Sequence, residues 1–263
     1  MQTGIDVTTA GPLTTVTLCN PDKLNAMSRA MWRSLKAAFV AIQADPQVRC
    51  VLVRGAGSHF CAGGDIAEYP GFRFDEAQLR TFHEDEVWAA LEAMLVCDVP
   101  LIAQIQGVCM GAGVEIASTC DLRLAASDAS FGAPIARLGF PMAPREAALV
   151  SAALGEMTAR AMLLAAEVFP ASHMAQQGFL TQLLPADELD GRCQALAARV
   201  ASLAPQAARL NKQTLRGLRA GQMPDQPYVY AASAEHQEGI GAFLAKRKPV
   251  FPSPLQTTGN SQP

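Results

Sequence analysis

Residues 101–121, LIAQIQGVCMGAGVEIASTCD, set three glycines between an apolar run and a helix-forming segment. The run 101–105 follows Pro100 and reads as a buried strand. Gly107, Gly111 and Gly113 then free the backbone, and residues 114–118 begin a helix. A strand that feeds a glycine loop into a helix aims unpaired backbone N–H groups at one point, a place suited to developing negative charge. Glu115 lies in the first helical turn, where the dipole stabilises a carboxylate that can reach the same point. Taken alone, the stretch also fits a plain strand-to-helix turn with an exposed glutamate.

A second stretch narrows the choice. Residues 50–54, CVLVR, are again strand-like and lead into GAGSHFCAGGD at 55–65, with Asp65 placed to start a short helix. If the two strands are parallel neighbours, both loops emerge at their carboxyl ends, where open α/β sheets bind ligands. One backbone N–H from each loop then makes an oxyanion hole for an enolate or a tetrahedral oxyanion.

These pieces belong to a larger set. The runs NPDKLNAM at 20–27, FCAGGDI at 60–66, QGVCMGAGVE at 106–115, CDLRLA at 120–125, FGAP at 131–134 and EGIGAFLAKRKP at 238–249 occur in one order. In these motifs the chain resembles the crotonase family, the enoyl-CoA hydratase/isomerase superfamily, over nearly its whole length. The resemblance implies an α/β fold, a crotonase-like ββα spiral core over 1–196 with a helical C-terminal trimerisation region over 197–263. It implies a homotrimer or a dimer of trimers. It places the oxyanion-hole N–H donors at Gly64 and Ala112 and an acid/base carboxyl at Glu115. Many relatives carry glycine where Ala112 stands, but a backbone donor survives in any residue except proline.

The chain departs from the family's hydratases at one point. Their second glutamate directly follows the Phe-Gly-x-Pro motif, and here Ile135 follows Pro134. A branched hydrocarbon neither accepts a proton nor holds a water. Glu115 is therefore expected to work alone against an apolar wall, with burial raising its pKa. The expected activity is that of an acyl-CoA lyase, decarboxylase or isomerase acting through an enolate. Two alternatives stand beside it: a non-catalytic CoA-binding or scaffold homologue, and a conventional enoyl-CoA hydratase with a substitute acid, for which His83 is the first candidate. By resemblance, coenzyme A, present only as part of the substrate thioester, lies along Lys23, Leu24, Ala26, Ala62, Asp65 and Ile66. The cluster Lys246, Arg247 and Lys248 either meets its phosphates, from the same or a neighbouring subunit, or complements the dipole at a helix C-terminus. Residues 72–96 and 135–142 line the acyl pocket, and Arg137 pairs with an acidic substrate group or a surface acid.

Other classes are set aside on chemistry. A net charge of −3 gives no basic field for nucleic acid. No run approaches the roughly 18 apolar residues of a membrane span. Residues 1–13 carry no Lys or Arg, so no secretory or transit segment is read there. The seven cysteines form no C-x-x-C pair and read as reduced thiols of a cytoplasmic protein. His173 and His236 have no ligand spacing, so no metal is expected. His59 and Cys61 lack an orienting acid for nucleophilic catalysis, and a structural role is preferred for both. The fingerprint of dinucleotide-binding enzymes is missing, since the run from Gly111 ends in Ile116.

Helices are expected over 28–44 (capped by Ser28), 75–96, 145–154, 157–167, 189–203, 205–219 and 228–248. Acids 84–86 are placed on the outer side of the second of these. The tail from 251 reads as poorly ordered.

Overall fold

A computed structural model gives the structure of residues 2–251. The chain starts with a hairpin, β1 (Gly4–Ala10) and β2 (Leu13–Cys19), turning through Gly11 at φ +58°. The Ser28 hydroxyl accepts the Met31 N–H at 3.2 Å and opens α1 (Arg29–Ala44), whose inner face buries Met31, Trp32, Leu35, Phe39 and Ile42. After β3 (Cys50–Gly55) the first glycine loop runs into a 3₁₀ turn, Ile66–Gly71, capped by Asp65. The helix expected over 75–96 forms as α2 (Glu76–Thr81), a π-helical turn (Phe82–Trp88) and α3 (Ala89–Val96).

Then come β4 (Leu101–Ile105), β5 (Val108–Met110), α4 (Ala112–Thr119), β6 (Leu122–Ala126) and β7 (Ser130–Gly132). The remainder comprises α5 (Pro144–Leu154), α6 (Glu156–Leu164), β8 (Val168–Pro170), α7 (Ala171–Gln176), β9 (Gln182–Leu184), α8 (Ala186–Ala201), α9 (Pro205–Arg219) and α10 (Ala234–Leu244).

The strands form a larger sheet in the order β1-β2-β3-β4-β6-β9 and a smaller one in the order β5-β7-β8. Beyond the hairpin every pairing in the larger sheet is parallel. Each turn of the chain places one strand in the larger sheet, the next in the smaller one, and then a helix: β4, β5, α4 and β6, β7, α5 are two such turns. This is the α/β ββα spiral that the motifs imply. The first glycine loop joins the small layer through a parallel bridge between Cys61 and Cys109.

Strands β3 and β4 are apolar on both faces because both faces are covered. Val51, Val53, Leu101, Ala103 and Ile105 enter the main core, while Cys50, Leu52 and Ile102 pack against Leu189, Cys193, Leu196 and Ala197 of α8. The division expected at 196/197 falls inside α8, which is continuous. All seven cysteines are buried and free.

Several local expectations change. The helix expected over 228–248 is interrupted: a 3₁₀ turn (Val229–Ala232) ends at Ser233, whose hydroxyl caps α10. The helix expected over 157–167 stops at Leu164, because the chain turns through Ala166 (φ +55°) into β8. Glu86, expected outside, is buried and takes Arg29 and Arg33 at 2.7 and 2.9 Å. From residue 252 the tail lies outside the described residues.

The two ends of the larger sheet are occupied differently. At the amino ends of its strands, α9 donates from Arg209 to the Val48 carbonyl, from Lys212 to the Val99 carbonyl and Asp121, and from Arg216 to Asp98. The carboxyl ends open into both glycine loops.

Candidate active site

The two loops are held face to face by backbone bonds. Met27 N–H donates to the Gly63 carbonyl and Asp65 N–H to the Met27 carbonyl, both at 2.8 Å; Met110 N–H donates to the Cys61 carbonyl at 2.8 Å. Gly113 packs so closely that an added Cβ would lie 2.7 Å from the Cys61 carbonyl oxygen. Gly63 (φ +112°) and Gly111 (φ +47°) adopt backbone that other residues rarely reach, which is why glycine stands at both. Among the described residues, the N–H groups of Gly64 and Ala112 have no protein acceptor. They are the two donors named from the motifs.

Glu115 follows Ala112 by one helical turn on α4. Its side chain has no hydrogen-bond partner among the described residues. Burial, with the nearby Glu146 charge adding to it, raises its pKa from 4.5 to about 8. Burial was expected to raise it; Glu146 was not foreseen. Glu146 is buried in the first turn of α5, which packs on α4, and its Oε1 lies 3.2 Å from His83 Nδ1. Glu115 is therefore not the only carboxyl at this site, which corrects the picture of one acid against an apolar wall. Ile135 sits in the 3₁₀ turn Pro134–Leu138, and a second buried carboxyl, Glu146, comes from the next helix. One signal for Glu146 was available. It is a lone acid three and four positions before Leu149 and Val150, on the buried face of an Ala/Leu-rich helix.

Tyr69 carries no local sequence signal. A Cβ on Gly64 would strike its hydroxyl, so the phenol lies against Gly64, the first of the two N–H donors named from the motifs. Burial pushes the phenol pKa up, Arg73 opposes this, and the Glu115 charge adds to it. The ring meets Phe72, Phe82 and Phe140 edge-on at 5.8, 6.4 and 5.9 Å, forming an aromatic wall that continues from Phe82 to His83.

The residues assigned to coenzyme A are gathered in part. Lys23 Nζ meets both Asp65 oxygens at 2.9 and 2.7 Å, and Ala62 N–H donates to the Leu24 carbonyl at 2.9 Å. With Ala26 buried and Leu24 and Ile66 exposed, these residues form one patch beside Gly64. Lys246 is not brought there. It follows α10, whose Gly239 packs on Phe251, and Arg49 holds the Phe251 carbonyl at the amino end of β3, the opposite edge of the sheet.

Other candidates resolve as structural. His59 Nδ1 accepts the Val108 N–H at 3.2 Å, and burial pushes the Cys61 thiol up to about 12, away from nucleophilic use. Arg137 donates to the Ala166 carbonyl at 3.1 Å, and no surface acid pairs with it among the described residues. Asp121 accepts the Leu101 N–H and the Lys212 ammonium, as a capping and network residue should. His173 stacks on Phe169 at 4.2 Å. No group of three or more metal-ligating side chains occurs among the described residues, and no helix there is long and apolar enough to cross a membrane.

Comparison with known proteins places this geometry. A family model described as enoyl-CoA hydratase/isomerase matches residues 8–254. The chain is 30% identical over 243 residues to the 2,3-dehydroadipyl-CoA hydratase of Escherichia coli K12, covering 90% of this chain and 93% of that one. Among solved structures, an enoyl-CoA hydratase/carnithine racemase from Magnetospirillum magneticum superposes with a TM-score of 0.91 at 34% identity, over 96% of each chain. An enoyl-CoA hydratase from Bacillus anthracis gives 0.86 at 27% identity, over 95% of this chain and 99% of that one.

Proposed function

The chain belongs to the enoyl-CoA hydratase/isomerase family, and on that premise we propose that it hydrates a 2-enoyl-CoA thioester, with Glu115 and Glu146 as its two carboxyl groups. The observation that carries this reading is Glu146, a buried acid from a different helix, held by His83 and close enough to raise the Glu115 pKa. It stands in for the glutamate that Ile135 displaces.

In this mechanism the thioester oxygen lies between the Gly64 and Ala112 N–H groups. Glu146, oriented by a hydrogen bond from His83 Nδ1–H, accepts a proton from water as the water oxygen bonds to C3. The electron pair of the C2–C3 double bond moves into the thioester, and the enolate oxygen is held by the two backbone donors. Glu115, raised to about 8 and so protonated at neutral pH, gives its proton to C2. A proton returning from Glu146 to Glu115 closes the cycle. The raised pKa keeps the acid form available, while a carboxyl in water would be ionised.

The patch at Lys23, Leu24, Ala26, Ala62, Asp65 and Ile66 is the proposed path of coenzyme A, which enters as part of the substrate. No separate cofactor is invoked, and the enzyme is placed in the cytoplasm. Lys246 is assigned to a neighbouring subunit's nucleotide.

The test is hydration of crotonyl-CoA by wild type, Glu115→Gln and Glu146→Gln, with binding of a saturated acyl-CoA measured in parallel. Each substitution is expected to lower kcat by about 10²–10⁴-fold, the span of one general acid or base, while binding persists. Full turnover in Glu146→Gln, with only Glu115→Gln silent, removes Glu146 from the mechanism and leaves a hydratase that works through Glu115 alone. Thioester binding without hydration in wild type instead returns the site to a single-carboxylate decarboxylase or isomerase.

A further inference from the structure

Arg73 is a half-buried cation without an anion. It follows Tyr69 by one turn, and its N–H donates to the Tyr69 carbonyl at 2.9 Å. Its guanidinium carbon lies 3.7 Å from the ring centre of Phe140 and 4.6 Å from that of Tyr69. Among the described residues, no carboxylate or carbonyl accepts from that guanidinium.

The neighbouring acids are all engaged elsewhere. Asp65 holds Lys23, and Glu68 accepts the Arg29 N–H at 2.7 Å. Asp75 caps the Gln78 N–H at 2.9 Å, and Glu76 pairs with Arg80 at 3.1 Å. Burial lowers the Arg73 pKa, as expected for a cation partly stripped of water without a counter-charge.

Its location connects this cation to the reacting centre. Tyr69 presents its hydroxyl to Gly64, and that hydroxyl senses both Glu115 and Arg73. Arg73 and the oxyanion hole thus flank one phenol. A guanidinium packed on aromatic rings uses its flat faces for that contact, and its N–H donors remain in its own plane, arranged as a fork that fits a carboxylate.

We propose that Arg73 receives a carboxylate on the acyl group, so that the preferred substrate is the CoA thioester of a dicarboxylic acid. The acyl chain then lies along the Tyr69–Phe140 wall, with its thioester at Gly64 and its acid end on Arg73. The inference rests on the hydratase reading of the site and adds the class of acyl group to it.

The experiment compares a matched six-carbon pair of 2-enoyl-CoA thioesters, one ending in a methyl group and one in a carboxylate. Wild type is expected to favour the carboxylate-ended thioester by at least tenfold in kcat/KM. In Arg73→Gln that ratio is expected to fall at least tenfold, chiefly through KM. Arg73→Lys, which keeps the charge but loses the fork, is expected to fall between them and guards against misreading a folding defect. A wild-type ratio at or below one overturns the proposal, as does a ratio that persists in Arg73→Gln. If wild type hydrates neither thioester, the hydratase reading fails separately. Calorimetry with the saturated pair, hexanoyl-CoA and its carboxylate-ended counterpart, then decides Arg73 alone. A preference lost in Arg73→Gln upholds the proposal, and equal wild-type affinities reject it.

Discussion

Replacing Glu115 by glutamine should stabilise this protein, and by an amount that grows with pH. The Glu115 carboxyl has a pKa of about 8 when folded, against 4.5 for an ordinary glutamate. Because the folded value is the higher one, the folded state binds a proton that the unfolded chain has released across that window. Below the unfolded pKa both states are protonated and the group makes no difference. As pH rises above it, stability falls by about 1.4 kcal/mol per pH unit, and the loss levels off past the folded pKa. At pH 7 this comes to roughly 3 kcal/mol, and somewhat less is recovered because glutamine still buries an amide. For a chain of this size that corresponds to a gain on the order of 5–10 °C in thermal midpoint at pH 7, falling to about a quarter of that at pH 5. The assay is a series of melts of both proteins from pH 5 to 9, read as the difference between them, so that other titrations cancel. A difference that stays flat across the series, or shrinks as pH rises, would falsify the assignment of a desolvated, proton-retaining Glu115. The proton that the proposed mechanism uses is, on this reading, kept at a cost in stability, as active sites commonly require.

Two further outcomes follow from the fold. Gly113→Ala drives a Cβ to 2.7 Å from the Cys61 carbonyl oxygen and 3.1 Å from its Cβ. It should destabilise the chain by about 1–3 kcal/mol and depress turnover more than thioester binding, and an unchanged urea midpoint would refute that packing. Leu215, Leu218, Ile240, Phe243 and Leu244 on α9 and α10 are all exposed in the single chain. Light scattering should accordingly give the mass of a trimer or of two trimers, and a monomer at micromolar concentration would leave this apolar surface without its proposed cover.

Much of the fold could be read from short stretches. Ser28 and Asp65 cap the turns they were expected to open, and the two glycine loops leave parallel neighbouring strands. The departures occur where an interaction remote in the chain decides. Glu86 looked like an outer-face acid because its partners, Arg29 and Arg33, stand more than fifty positions earlier. The last helix is shorter than its periodicity suggests, because apolar content continues across Ser233 while the backbone breaks there to form the cap. Lys246 lies away from the coenzyme patch of its own chain, so the phosphate contact expected of it requires a neighbouring subunit, which no single-chain rule can place.

At the site the same division holds. The sequence by itself determined the strand–glycine turn–helix geometry that carries Gly64, Ala112 and Glu115, because such a run fixes backbone direction within a few residues; the roles proposed for them come from the resemblance of the motifs. Gly63, Gly111 and Gly113 supply conformations and contacts that other residues resist. Only the tertiary structure decided what faces them. Glu146, His83, Tyr69 and Arg73 come from three different segments, and no local rule relates their positions to Gly64 or Glu115. Their meeting depends on how α5 and the segment before α2 dock on the spiral. That docking is set by burial of apolar surface, which has no preferred direction, so it can be located only once the whole core is packed.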